Sequence, residues 1–180
     1  MTDRTYLVQD GHPAILSLRI AAMVSAFTTI VVFAWALKAH DHVYTDVNGA
    51  SLCIMILISA TYAALWSLIP LTIRSLLHRA LHPGIYIAFD FIAFGAVFST
   101  TVLTMSILTV YAEGGYNCRG YACRDTALAN VEFFGFAIAL VNSVLHLILF
   151  VWACWVCDYH RKQSHKMDEA ISKAPSVAKM

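Results

Sequence analysis

Apolar residues gather into four long blocks along the chain, separated by short polar intervals. The blocks cover about 15–37, 47–73, 84–112 and 127–157. A helix needs about 20 such residues to cross ~30 Å of hydrocarbon, and each block is long enough. The pattern predicts an all-α membrane protein, a four-transmembrane-helix bundle. Pro13 suits the first turn of the first helix, Pro83 marks the start of the third, and Pro70 predicts a kink in the last turn of the second.

Composition agrees with this reading. Of 180 residues, 59% are hydrophobic and 13% charged, where a soluble domain of this size exposes far more charge. Outside the four-span domain at 15–157 there remain a short tail at 1–14, a polar tail at 158–180 and three short loops. No soluble catalytic or ligand-binding domain fits in these. Pro13 and Arg19 precede a core too long for a cleavable signal peptide, so the first span is expected to act as its own insertion signal. The polar stretch from Arg161 to Met180, with Pro175, is expected to be disordered beyond a short juxtamembrane extension.

Charge distribution sets an expected orientation. Arg4, Arg19, Arg74, Arg79, Arg161, Lys162, Lys166, Lys173 and Lys179 fall on one side, and Lys38, Arg119 and Arg124 on the other. The excess of Lys and Arg marks the cytosolic side, so both termini are expected in the cytosol. Cys118 and Cys123 then lie in an outer, Gly-containing loop, where a disulfide is favoured; two free thiols or a metal pair are the alternatives. No N-x-[ST] acceptor occurs in the chain.

Small residues recur every four positions in two spans: Ser59, Ala63 and Ser67, then Gly135, Ala139 and Ser143. Gly95 and Ser99 form a shorter pair in the third. Such stripes allow close helix approach where lipid supplies no hydrophobic drive between helices. Trp35, Trp66, Trp152 and Trp155, with Tyr44, Tyr86, Tyr111 and Tyr159, read as interface anchors toward span ends.

Ionisable groups within spans are costly and are the first functional candidates. Arg19 and Asp90 lie at comparable depth on the same side, within reach of pairing, and a structural role is expected for them. Glu132 begins the fourth span, where an acidic residue complements a helix N-terminus and is expected to be solvated. His146 reads as a hydrogen-bonded packing residue. The other histidines fall in loops or tails, which argues against bis-histidine haem ligation. Cys154-Trp155-Val156-Cys157 has the spacing of a redox pair but sits at the cytosolic end, where thiols stay reduced. Palmitoylation of these juxtamembrane cysteines is the functional reading, against two inert thiols. Cys53 has no evident partner.

Several of these residues together resemble a MARVEL-domain protein of the small fungal tetraspan type, similar to non-classical export and eisosome-associated proteins. The resemblance rests on Leu18-Arg19, on Phe89-Asp90-Phe91-Ile92-Ala93-Phe94, on Cys118 and Cys123, and on the return into Thr126-Ala127-Leu128-Ala129-Asn130-Val131-Glu132-Phe133-Phe134. It covers about 14–158. Claudins differ by a Trp and Cys signature in the first outer loop, and tetraspanins by a large second outer loop with Cys-Cys-Gly. The resemblance implies no catalysis. It implies a plasma-membrane or secretory-pathway protein that organises microdomains, or assists membrane apposition and vesicle traffic. Partners would be sterol- or sphingolipid-rich membrane and other membrane proteins or further copies. No cofactor, metal or nucleic acid is expected. The alternative is a small transporter or channel subunit using Asp90, Arg19 and Glu132. Against it, the ionisable groups lie at opposite ends, and no broken mid-membrane helix is evident.

Overall fold

The computed structural model describes residues 13–40, 49–77, 83–112 and 126–173, all of them helical. The helices are α1 (Pro13–His40), α2 (Gly49–Leu77), α3 (Pro83–Ala112) and α4 (Thr126–Lys173). Prolines open α1 and α3, where the missing N–H has no intrahelical partner to lose. Pro70 lies inside α2, which continues past it to Leu77.

Each helix packs on the next in sequence, and α4 also packs on α1, closing a four-membered ring. Neighbouring helices run in opposite directions. Arg19 and Asp90 stand early in α1 and α3, and they meet Trp66 and His146 from well along α2 and α4.

The buried seam has a regular period. In α1 it reads Ile15, Arg19, Ala22, Ala26, Thr29, Phe33, Ala36. In α4, Leu128, Glu132, Gly135, Ala139, Asn142, His146, Leu149, Ala153 and Val156 are buried. Alternating steps of four and three give the 3.5-residue repeat of left-handed bundles. Alanine, serine, threonine and asparagine dominate the middle of this seam, whereas Phe27, Ile58, Leu65, Phe91, Phe134 and Val151 point outward. Large apolar side chains outside and small or polar ones inside suit a bundle solvated by lipid, where close backbone approach and interhelical hydrogen bonds hold helices together. All four helices are long and apolar enough to cross a membrane. The chain is an integral, multi-pass membrane protein.

The fourth helix departs from expectation. Rather than fraying after the span, it runs unbroken for 48 residues to Lys173, two short of Pro175. At 1.5 Å per residue this is about 72 Å, well beyond a bilayer of about 40–45 Å with its headgroups. Polarity there governs exposure, not helicity. Asp158 and Lys162 form an i,i+4 ion pair of 2.6 Å, and Gln163 Nε2 donates to Tyr159 Oη at 2.8 Å.

Candidate functional site

Asp90 is fully buried and takes one hydrogen bond from each of the other three helices. Arg19 Nη2 donates to its Oδ2 at 3.1 Å, and Trp66 Nε1 donates to its Oδ1 at 2.7 Å. His146 Nδ1 lies 3.2 Å from the same Oδ1. A carboxylate, acceptor-only when ionised, suits a position ringed by N–H groups. The Arg19 guanidinium also lies 4.6 Å from the centre of the Tyr86 ring, a cation–π contact in a dry setting. Trp66 stacks on Phe89 at 4.6 Å. The group is therefore a four-helix junction rather than a surface ion pair.

Two of its members differ from their sequence reading. Trp66 and Tyr86 do not anchor at the lipid–water interface; they are buried at 4% and 1% exposure and enclose Asp90. Their amphipathic rings need a polar partner, and Asp90 and Arg19 supply one inside the protein. Trp35, Trp155 and Tyr159 do face outward.

A second polar cluster lies at the other end of the bundle. His40, the last residue of α1, is within the helix rather than in a loop, and its Nε2 lies 2.6 Å from Glu132 Oε1. Glu132 is only 8% exposed, so it is not the solvated residue its position suggested. Burial of a carboxylate demands a partner, and the extra turn of α1 delivers one. The buried thiol of Cys53 completes the group: one donor atom from each of His40, Cys53 and Glu132 lies within 4.8 Å of the others. An imidazole, a thiol and a carboxylate are the donor types that hold transition metals.

Cys53 and Trp66 are thirteen positions apart on α2, and Glu132 and His146 fourteen apart on α4. The two clusters are thus about 20 Å apart by helix rise. The core between them is closed. Ser25 Oγ donates to Asn142 Oδ1 at 3.1 Å, and Ser59 and Thr100 hydroxyls meet at 2.9 Å. Phe33 and Phe136 then meet across the seam as a tilted pair with ring centroids 5.3 Å apart, beside Ala36, Cys53, Ile56 and Leu128.

The small-residue stripes take two different places. Ser59, Ala63 and Ser67 on α2, and Gly135, Ala139 and Ser143 on α4, lie on the buried seam. A Cβ built on Gly135 would come within 2.8 Å of both Phe33 and Val32. Glycine is what lets α1 and α4 close there. By contrast, Gly95 is only half-buried with nothing within 4 Å of an added Cβ, and Ser99 is exposed. That pair takes no part in packing within the chain.

Cys154 is half-buried and Cys157 exposed on α4, and both are free thiols. Cys118 and Cys123 lie outside the described residues, and no disulfide occurs among the described cysteines. No family model, curated protein or solved structure matches the chain.

Proposed function

We propose that the protein is a non-enzymatic organiser of membrane, of the MARVEL-like tetraspan kind, acting through lateral packing and lipid contact with both termini in the cytosol. The observation that carries this reading is the closed core. Both Asp90 carboxylate oxygens are engaged within the bundle, by Arg19, Trp66 and His146, and the Phe33–Phe136 layer stands between the two polar clusters. What remains available to the surroundings is the apolar outer face. On it, Gly95 and Ser99 give α3 a shallow patch suited to another helix or a sterol ring.

The test is the distribution of a tagged copy at the surface of living cells, with sphingolipid and sterol content perturbed. Immobile patches that disperse on perturbation are expected. A uniform, freely diffusing, lipid-insensitive signal overturns the reading.

One observation favours a second reading, a small transporter or channel subunit. From one cluster to the other, Thr101, Thr104 and Ser143 are buried with hydroxyls lacking a hydrogen-bond partner among the described residues, as is Asn142 Nδ2, and Ser67 is likewise unpartnered beside Trp66. A wetted line through these groups would pass protons or ions. An ion or proton flux in proteoliposomes that disappears in folded Asp90→Asn or Glu132→Gln protein would establish that alternative and displace the organiser.

A further inference from the structure

Side chains from three helices converge at the bundle end opposite Asp90, and together they present an imidazole, a thiol and a carboxylate to one another. His40 closes α1, Cys53 sits one turn into α2, and Glu132 lies in the second turn of α4. We propose that His40, Cys53 and Glu132 form a binding site for a zinc-class divalent cation, which clamps α1, α2 and α4 together. This inference stands apart from the organiser reading and survives its failure.

Donor chemistry selects the ion. Magnesium and calcium prefer all-oxygen shells, and cuprous copper prefers several sulfurs. One imidazole, one thiolate and one carboxylate are a set that zinc accepts, with a fourth position left for water. Geometry allows it. Bonds of about 2.0–2.3 Å in a tetrahedral arrangement place the nitrogen and oxygen roughly 3.3 Å apart, and the sulfur roughly 3.6 Å from each. The His40–Glu132 contact of 2.6 Å would open by well under an ångström. The sulfur, now within 4.8 Å of both, would move in by at most about 1.2 Å.

Charge and protonation fit as well. Binding displaces the Cys53 thiol proton to solvent, and the dication balances the thiolate so formed together with the Glu132 carboxylate, beside a neutral ring. His40 is the last residue of α1, where unsatisfied carbonyls favour a cation. With Nε2–H donating to Glu132, the buried Nδ1 is an acceptor with nothing to accept; it has no hydrogen-bond partner. Metal binding would make Nε2 the ligand and place the ring proton on Nδ1, the tautomer that ligand histidines adopt. Phe33, Phe136 and Leu128 pack behind Cys53 and shield the site from the interior side.

The experiment uses the full chain, purified under reductant in lipid nanodiscs and titrated with cobalt(II) and zinc(II). About one ion per chain is expected. Cobalt should give a thiolate-to-metal charge-transfer band with tetrahedral ligand-field bands, and zinc should displace it. Cys53→Ala should abolish the charge-transfer band, and Glu132→Gln should weaken affinity at least about tenfold. Serine in place of Cys118, Cys123, Cys154 and Cys157 together should leave the band intact. Absence of the band in the wild type, its survival in Cys53→Ala, or its loss in the four-serine variant overturns the site. Should Cys53→Ala fail to fold, thermal midpoints decide. Zinc should raise that of the wild type by more than that of Glu132→Gln at the same concentration; equal response in both overturns the proposal.

Discussion

Removal of the Asp90 carboxylate is the most informative perturbation of the bundle. Asp90→Ala deletes three interhelical hydrogen bonds at once, to Arg19, Trp66 and His146. Interhelical hydrogen bonds in membranes average about 0.6 kcal/mol, so bond loss alone predicts about 2 kcal/mol. A larger effect is the charge left behind. Arg19 already has Nε and Nη1 without partners, and loss of Asp90 leaves its guanidinium buried and uncompensated. Breaking a buried pair from one side costs about 3–5 kcal/mol. Arg19 lies only six residues from the start of α1 and can extend toward the headgroups, which brings the expected cost to the lower end, about 3 kcal/mol. That is about two powers of ten in the folding equilibrium. The assay is reversible unfolding by denaturing detergent in mixed micelles, on wild type, Asp90→Ala, Arg19→Ala and the double variant. The double variant should be less destabilised than the sum of the singles by at least about 1 kcal/mol, because it removes both charges. Additive effects, or an unchanged midpoint in Asp90→Ala, would refute the junction.

Three further predictions concern separate parts of the molecule. Trp66→Phe keeps an aromatic ring against Phe89 but loses the N–H to Asp90, and should cost about 1 kcal/mol in the same unfolding assay. Gly135→Ala places a methyl group against Phe33 and Val32 and should destabilise by about 1–3 kcal/mol, whereas Gly95→Ala meets open space and should leave the monomer unchanged. Acyl-exchange labelling should report Cys157, which is exposed, before half-buried Cys154; a signal that persists undiminished in Cys157→Ser contradicts this order.

Much of the architecture is legible in the sequence because bilayer crossing imposes a length. The first three blocks coincide with their helices to within a few residues, as does the start of the fourth, and Pro13 and Pro83 mark helix starts as their missing N–H groups require. What hides is rotation. In a soluble bundle the seam is apolar and the outside polar, so hydrophobic periodicity points inward. Here both faces are apolar, and the inward face is betrayed by size and polarity instead. The stripes Ser59–Ala63–Ser67 and Gly135–Ala139–Ser143 carry that signal, while the α1 seam, with Phe33 among alanines, gives almost none.

The sites divide in the same way. Arg19 and Asp90 stand out because charge within an apolar block has no ordinary explanation, and their pairing follows from matched depth. Trp66 and Tyr86 do not stand out, because aromatic residues near span ends have a commoner use at the interface. Glu132 and His40 are obscured by a boundary error of a few residues. Ending the first span at 37 leaves His40 in a loop and Glu132 in water, whereas continuing α1 to residue 40 joins them. Cys53 acquires a partner only once three helices, distant in sequence, are assembled.

The unbroken path of α4 has a consequence for how the protein is read from outside the bilayer. A helix without interruption preserves angular phase, so the compass bearing of every side chain from His160 to Gln163 is set by the seam that buries His146, Leu149, Ala153 and Val156. The projecting rod is a dial fixed to the bundle. Arg161, Lys162 and Lys166 are exposed on it at bearings dictated by Asp90's junction at His146, about four to six turns of helix away. A partner engaging that rod would sense which way the membrane-embedded faces point.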